Sequence, residues 1–169
     1  AAAALRAAAA GDPGSPLIPL NLGIALLRAD RVDDAIPAFR GALALRPDLA
    51  AARLLLAQAL AVADSIPAAG REYELVLAAE PGNAKALRGL GFCRIRAADY
   101  RGAVESYRAA AEVEPGNADA WAGLGNAYLG LSDWDAAGSA FAKARAIDPA
   151  NPTLRKGAEL LEANRRGGP

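Results

Sequence analysis

The feature that most constrains this chain is a pattern of large and small residues that returns every 34 positions. It is clearest between Ala118 and Pro149. Trp121, Leu124, Gly125 and Tyr128 stand at i, i+3, i+4 and i+7, which is one stripe of a helix. After a turn, Ala137, Phe141 and Ala144 mark one stripe of a second helix, and Pro149 closes the unit. The small residues at Gly125 and Ala137 let two backbones approach while the rings fill the space beside them. Moving the frame back by 34 residues gives Leu87, Leu90, Gly91, Ala103, Tyr107, Ala110 and Pro115 in the same places. A further step gives Leu56, Ala57, Leu60, Ala69, Tyr73, Val76 and Pro81. The first frame gives Leu22, Gly23, Leu26, Ala35, Phe39, Ala42 and Pro47. The units 16–49, 50–83, 84–117 and 118–151 therefore follow one another without a gap.

The spacing W-x2-L-G-x2-Y, then A-x3-F, then P, resembles the tetratricopeptide repeat family. The resemblance implies an all-α fold, a right-handed superhelical solenoid of antiparallel helix hairpins forming a single domain over 1–169. Ala1, Leu5, Ala8 and Pro13 fit the places of a second helix, so 1–15 reads as the remainder of a preceding repeat. A low-complexity linker is the other reading of that alanine run. An opening in mid-repeat points to a shortened or processed chain. Residues 152–169 read as a capping helix and tail, with Arg155, Lys156, Glu159 and Glu162 turned to water.

Composition removes several function classes. Nineteen Lys and Arg balance nineteen Asp and Glu, with no basic run, which argues against non-specific nucleic-acid binding. There is no histidine, so histidine acid–base chemistry and histidine metal ligation are excluded. The lone cysteine, Cys93, has no histidine to activate it and reads as a small half-buried helix residue. The glycines recur with the repeat and form no phosphate loop. No apolar run approaches the roughly 20 residues of a membrane span, so direct membrane insertion is not expected. The reading is of a non-enzymatic chain without metal or cofactor. Its compartment is left open between cytoplasm and periplasm, and its Ala, Gly and Arg content points to a bacterial source.

Several positions carry local expectations. Asp30 to Asp33 form a turn, and the second helix of the first repeat runs from about Asp34 to Leu45 with Pro37 near its first turn. Asp64 and Ser65 turn the second repeat, and Pro67 opens its second helix. Asn83, Asn117 and Asn151 precede first helices as N-caps, each worth about 1 kcal/mol. Val32, Ile66, Tyr100 and Trp134 share one place just before each second helix, and the recurrence reads as a structural plug.

The resemblance also implies that first helices line a concave groove through places 2, 5, 9, 12 and 13 of each unit. Those places hold Leu17, Leu20, Ile24, Leu27 and Arg28, then Ala51, Leu54, Gln58, Ala61 and Val62. The third unit gives Lys85, Arg88, Phe92, Ile95 and Arg96, and the fourth Asp119, Ala122, Asn126, Leu129 and Gly130. The capping helix adds Thr153, Lys156, Leu160, Ala163 and Asn164. The N-terminal half is apolar. The centre is basic, with Arg28, Lys85, Arg88, Arg96 and Lys156 against Asp119. A chaperone-tail clamp would require Lys at place 5 and Asn at place 9. Leu20 and Ile24, Leu54 and Gln58, Arg88 and Phe92, and Ala122 and Asn126 do not match it.

The functional expectation is a protein–protein interaction scaffold. Its partner would be a protein or peptide that carries acidic or carboxylate groups beside apolar side chains. The candidate peptide-binding residues are Leu20, Ile24, Leu27, Arg28, Leu54, Gln58, Lys85, Arg88, Phe92, Arg96 and Asn126. Phe92 is the aromatic anchor between Arg88 and Arg96, and Gln58 and Asn126 would bond an extended backbone. The apolar N-terminal face leaves open intramolecular packing or a homodimer. Two alternatives remain: the substrate-presenting part of a larger enzyme such as a glycosyl- or sulfotransferase, and an assembly module of a bacterial envelope machine.

Overall fold

The computed structural model describes residues 14–165, and nine helices lie among them. They are α1 (Leu17–Arg28), α2 (Val32–Leu45), α3 (Ala50–Val62), α4 (Ile66–Ala79), α5 (Ala84–Arg96), α6 (Tyr100–Val113), α7 (Ala118–Gly130), α8 (Trp134–Ile147) and α9 (Pro152–Arg165). The half-repeat expected at the N-terminus falls almost wholly on residues 1–13, outside those described.

Four hairpins arise from one turn device. Asp30, Asp64, Ala98 and Ser132, each 34 residues after the last, have φ of 57–58°. Each follows a first helix and adopts the left-handed conformation that ends it. The next N–H reaches back to a carbonyl in that helix: Arg31 N to Leu26 O at 2.9 Å, Ser65 N to Leu60 O at 2.8 Å, Asp99 N to Arg94 O at 2.8 Å and Asp133 N to Tyr128 O at 3.0 Å. These bonds satisfy carbonyls that the helix end would otherwise leave unpaired.

Helix starts differ along the chain. Asn83 Oδ1 accepts from Ala86 N at 3.0 Å, and Asn117 Oδ1 from Asp119 N at 3.1 Å. Asn151 Oδ1 accepts from Thr153 N at 2.9 Å. Asp99 and Asp133 cap α6 and α8 in the same way. By contrast, α1, α2 and α3 begin after Pro16, Arg31 and Leu49 without a side-chain cap bond. Helix α2 begins at Val32, two residues before the expected Asp34, so Pro37 sits deeper in it. Its missing N–H leaves one helical bond unmade. Val32, Ile66, Tyr100 and Trp134 are the first residues of second helices rather than the residues before them. Their plug role is visible at Tyr100, whose ring occupies the space a side chain at Gly130 would need.

The core is built from rings pressed on glycine. A Cβ at Gly23 would lie 2.5 Å from the Phe39 ring, at Gly91 2.7 Å from Tyr107, and at Gly125 2.5 Å from Phe141. Gly123 of the next first helix also presses on Tyr107, and Gly157 of the capping helix presses on Phe141. The Tyr107 ring leaves no room for a side chain at Gly123.

The chain divides into two compact units, one up to Ala79 and one from Glu80. In the first, α1 packs on α2, α2 on α3 and α3 on α4. In the second, α5 and α7 lie side by side, α6 and α8 back them, and α9 covers α7 and α8. No described helix is long and apolar enough to cross a membrane.

Candidate functional site

In the second unit the first helices α5 and α7 and the capping helix α9 enclose a cleft of about 430 Å³. Helix α5 supplies Arg88, Phe92 and Ile95, one stripe at i, i+4 and i+7. Helix α7 supplies Asp119 and Asn126, and α9 supplies Thr153 and Leu160, with Tyr107 of α6 also lining the cleft. Glycine at 157 keeps the cleft open, since a Cβ there would lie 2.5 Å from Asn126 Oδ1.

The cleft's charges are held in place. Arg88 Nη1 donates to Glu114 Oε2 at 2.7 Å, and Asn117 Nδ2 donates to the same oxygen at 2.8 Å. Arg88 is therefore oriented while its other N–H groups remain to bond elsewhere. Asn151 Nδ2 donates to Asp119 Oδ1 at 2.7 Å, so one asparagine both caps α9 and aims the carboxylate. The Arg96 guanidinium lies 5.8 Å from the centroid of the Phe92 ring, a cation–π distance. Phe92 is 40% exposed, high for a phenylalanine. Lys85 is exposed on the same helix.

Of the eleven residues singled out in the sequence, the cleft brings together Arg88, Phe92 and Asn126. Arg96 joins them by stacking on Phe92. The centre is less basic than the groove places imply, because Glu114 neutralises Arg88 from the loop before α7. In the first unit, Leu20 is buried at 8% exposure and belongs to the core rather than to an open face. Ile24, Leu27, Leu54 and Gln58 are half-buried, and Arg28 is exposed.

Sequence reasoning missed Glu114, Asn151, Tyr107 and Gly157 as parts of the site. A signal for Glu114 existed: Glu-Pro-Gly-Asn occurs at both 80–83 and 114–117. In both copies the Asn side chain donates to the Glu, Asn83 Nδ2 reaching Glu80 Oε2 at 2.8 Å.

The cleft shows no nucleophile paired with a base, and no group of three metal-binding side chains occurs among the described residues. Cys93 is buried in α5, and burial pushes its thiol up to about 11 despite the opposing charge of Arg96. At neutral pH it is protonated and unreactive.

A family model for the tetratricopeptide repeat matches residues 20–84 and 94–152. No curated protein matches the sequence. Among solved structures, a crystal structure of MamA protein is 25% identical, with 86% of this chain and 80% of that one covered at a TM-score of 0.79. YrrB, described as a TPR protein with an unusual peptide-binding site, is 20% identical over 98% of this chain and 86% of its own, at 0.80. A thermophilic TPR protein of Thermus thermophilus is 21% identical over 91% and 84%, at 0.75.

Proposed function

The chain belongs to the tetratricopeptide repeat family, whose fold serves protein–protein interaction, and from that premise we propose that it captures a partner segment in the α5–α7–α9 cleft. The observation that carries this reading is the half-exposed Phe92 ring beside an Arg88 guanidinium already aimed by Glu114. An apolar side chain of the partner packs on Phe92. A carboxylate meets the remaining N–H groups of Arg88, and Asn126 bonds the segment's backbone. Asp119 at the far wall favours a donor there, so the best-fitting segment is apolar and acidic at one end and carries an amide or hydroxyl at the other. The peptide-binding site in YrrB's description lends the same reading support. In the first unit, Ile24, Leu27, Arg28, Leu54 and Gln58 form a patch for a different contact and do not hold this segment, and Leu20 lies in the core. Binding is reversible, because ordering a short segment offsets much of what its contacts gain.

The test is Phe92→p-benzoylphenylalanine, irradiated in extract of the source cells, with the same substitution at the exposed Arg101 of α6 as comparison. A discrete adduct from position 92 and none from 101 is expected. Adducts from 101 alone would move the binding surface off the first helices.

A further inference from the structure

A second cleft, of about 330 Å³, opens on the other side of α7, between the second helices α6 and α8. Its floor is Trp121, Leu124 and Tyr128 of α7, and its rims are Arg108 of α6 and Ser139 and Lys143 of α8. Trp121 and Tyr128 are seven residues apart on one face, about 10 Å along the helix axis.

A cation marks each end. Lys143 Nζ lies 4.2 Å from the centroid of the Trp121 ring. The indole is pinned by Trp121 Nε1 donating to Pro115 O at 2.9 Å. At the other end, Arg108 Nη2 donates to the Tyr128 hydroxyl at 2.9 Å. Among the described residues, neither cation has a carboxylate within ion-pair distance, and no carboxylate lines this cleft. Glu105 and Glu112 stand a turn to either side of Arg108 on α6, outside the lining. The α5–α7–α9 cleft differs on each point: its guanidinium is paired with Glu114 and its wall carries Asp119.

We propose that this outer cleft is a second docking site, which takes an acidic segment of a partner protein with one large apolar side chain between two carboxylates. The apolar group seats over Leu124 between the two rings, where it loses contact with water. The flanking carboxylates reach Lys143 and Arg108. An extended chain rises about 3.3 Å per residue and alternates its side chains, so carboxylates four residues apart, with the apolar residue midway, share one face and span the two ends. Such charge-assisted contacts fix register along the cleft.

The probe is a capped, fluorescein-labelled peptide, Glu-Ser-Phe-Ser-Glu, titrated by anisotropy against the full chain at low ionic strength. Counterparts carry Gln for both Glu, or Ser for Phe. The account expects saturable binding of the first peptide. It expects weakening of about ten-fold or more with each counterpart and with the Arg108→Gln/Lys143→Gln variant. Arg108→Lys/Lys143→Arg should retain most of the binding, and Phe92→Ala should leave it unchanged, which separates this site from the one proposed above. Circular dichroism checks that each variant is folded. Four results would overturn the proposal: no saturable binding, equal binding of the uncharged peptide, loss on Phe92→Ala, or a self-associated chain that Arg108→Gln/Lys143→Gln dissociates. The last would make a second copy of this chain the occupant.

Discussion

Residues up to Ala79 and residues from Glu80 onward build the same hairpins with different side chains. In the second unit, Asn83, Asp99, Asn117, Asp133 and Asn151 each bond a free N–H at a helix start. In the first, α1, α2 and α3 begin without such a bond, and α2 carries Pro37 in its interior. The rings differ in their surroundings too. Tyr107 and Phe141 are each pressed on by two glycines. Phe39 meets Gly23, but the place of the second glycine holds Leu55. The first unit also has its long-range ion pair, Arg53 with Glu72 at 2.9 Å, so the contrast lies in caps and close contacts rather than in charge. Apolar periodicity alone is enough to form a hairpin. Caps and ring–glycine contacts are more numerous in the unit that carries the α5–α7–α9 cleft, and there they would hold the shape of the binding site proposed above.

That contrast can be tested from its strongest point downward. Phe39 and Phe141 are equally buried, so Phe39→Ala and Phe141→Ala should each cost about 3–5 kcal/mol in denaturant unfolding. A much smaller loss at Phe39 would mean that the first unit's core is already loose and the contrast deeper than caps. Gly125→Leu should cost about 1–3 kcal/mol by overpacking against Phe141. Stability equal to the parent's would end the close-approach account. Asn117→Ala should cost about 1 kcal/mol, and Arg31→Asn, which places a cap where the second unit has Asp99 and Asp133, should gain a similar amount. The exposed Arg31–Asp34 pair lost in that change contributes little. Ala98→Gly should gain a few tenths of a kcal/mol, because glycine adopts φ of 58° freely but loses more chain entropy on folding.

Cys93 gives the smallest effect at neutral pH. Its folded pKa, about 11, is raised above the ordinary thiol value, so its contribution is complete below pH 9 and is lost as pH rises from 9 toward 11. Urea midpoints should therefore fall faster over that range in the parent than in Cys93→Ala, and match its slope below pH 9.

The fold was legible because the 34-residue pattern states both helices of each hairpin and their contact stripes. The left-handed turn was not, since Asp30, Asp64, Ala98 and Ser132 share no side-chain type and only backbone geometry unites them. Arg88, Phe92 and Asn126 were legible from their places on first helices. Glu114 was not: it lies 26 residues from Arg88, in a loop that helix places leave out. Leu20 occupies a groove place yet is buried, because place counting gives a direction from the helix axis and not what lies there. Trp121 and Tyr128 read as packing residues and do pack, but their half-exposed rings also floor the outer cleft.

The central claim is that the second unit's first-helix cleft holds the partner. The most direct measurement is capture from extract of the source cells by the parent, by Phe92→Asp in the second unit and by Leu27→Asp in the first, with helicity checked in each. The account predicts that Phe92→Asp loses a protein that the parent and Leu27→Asp both retain. Loss with Leu27→Asp alone, or retention by Phe92→Asp, would contradict it.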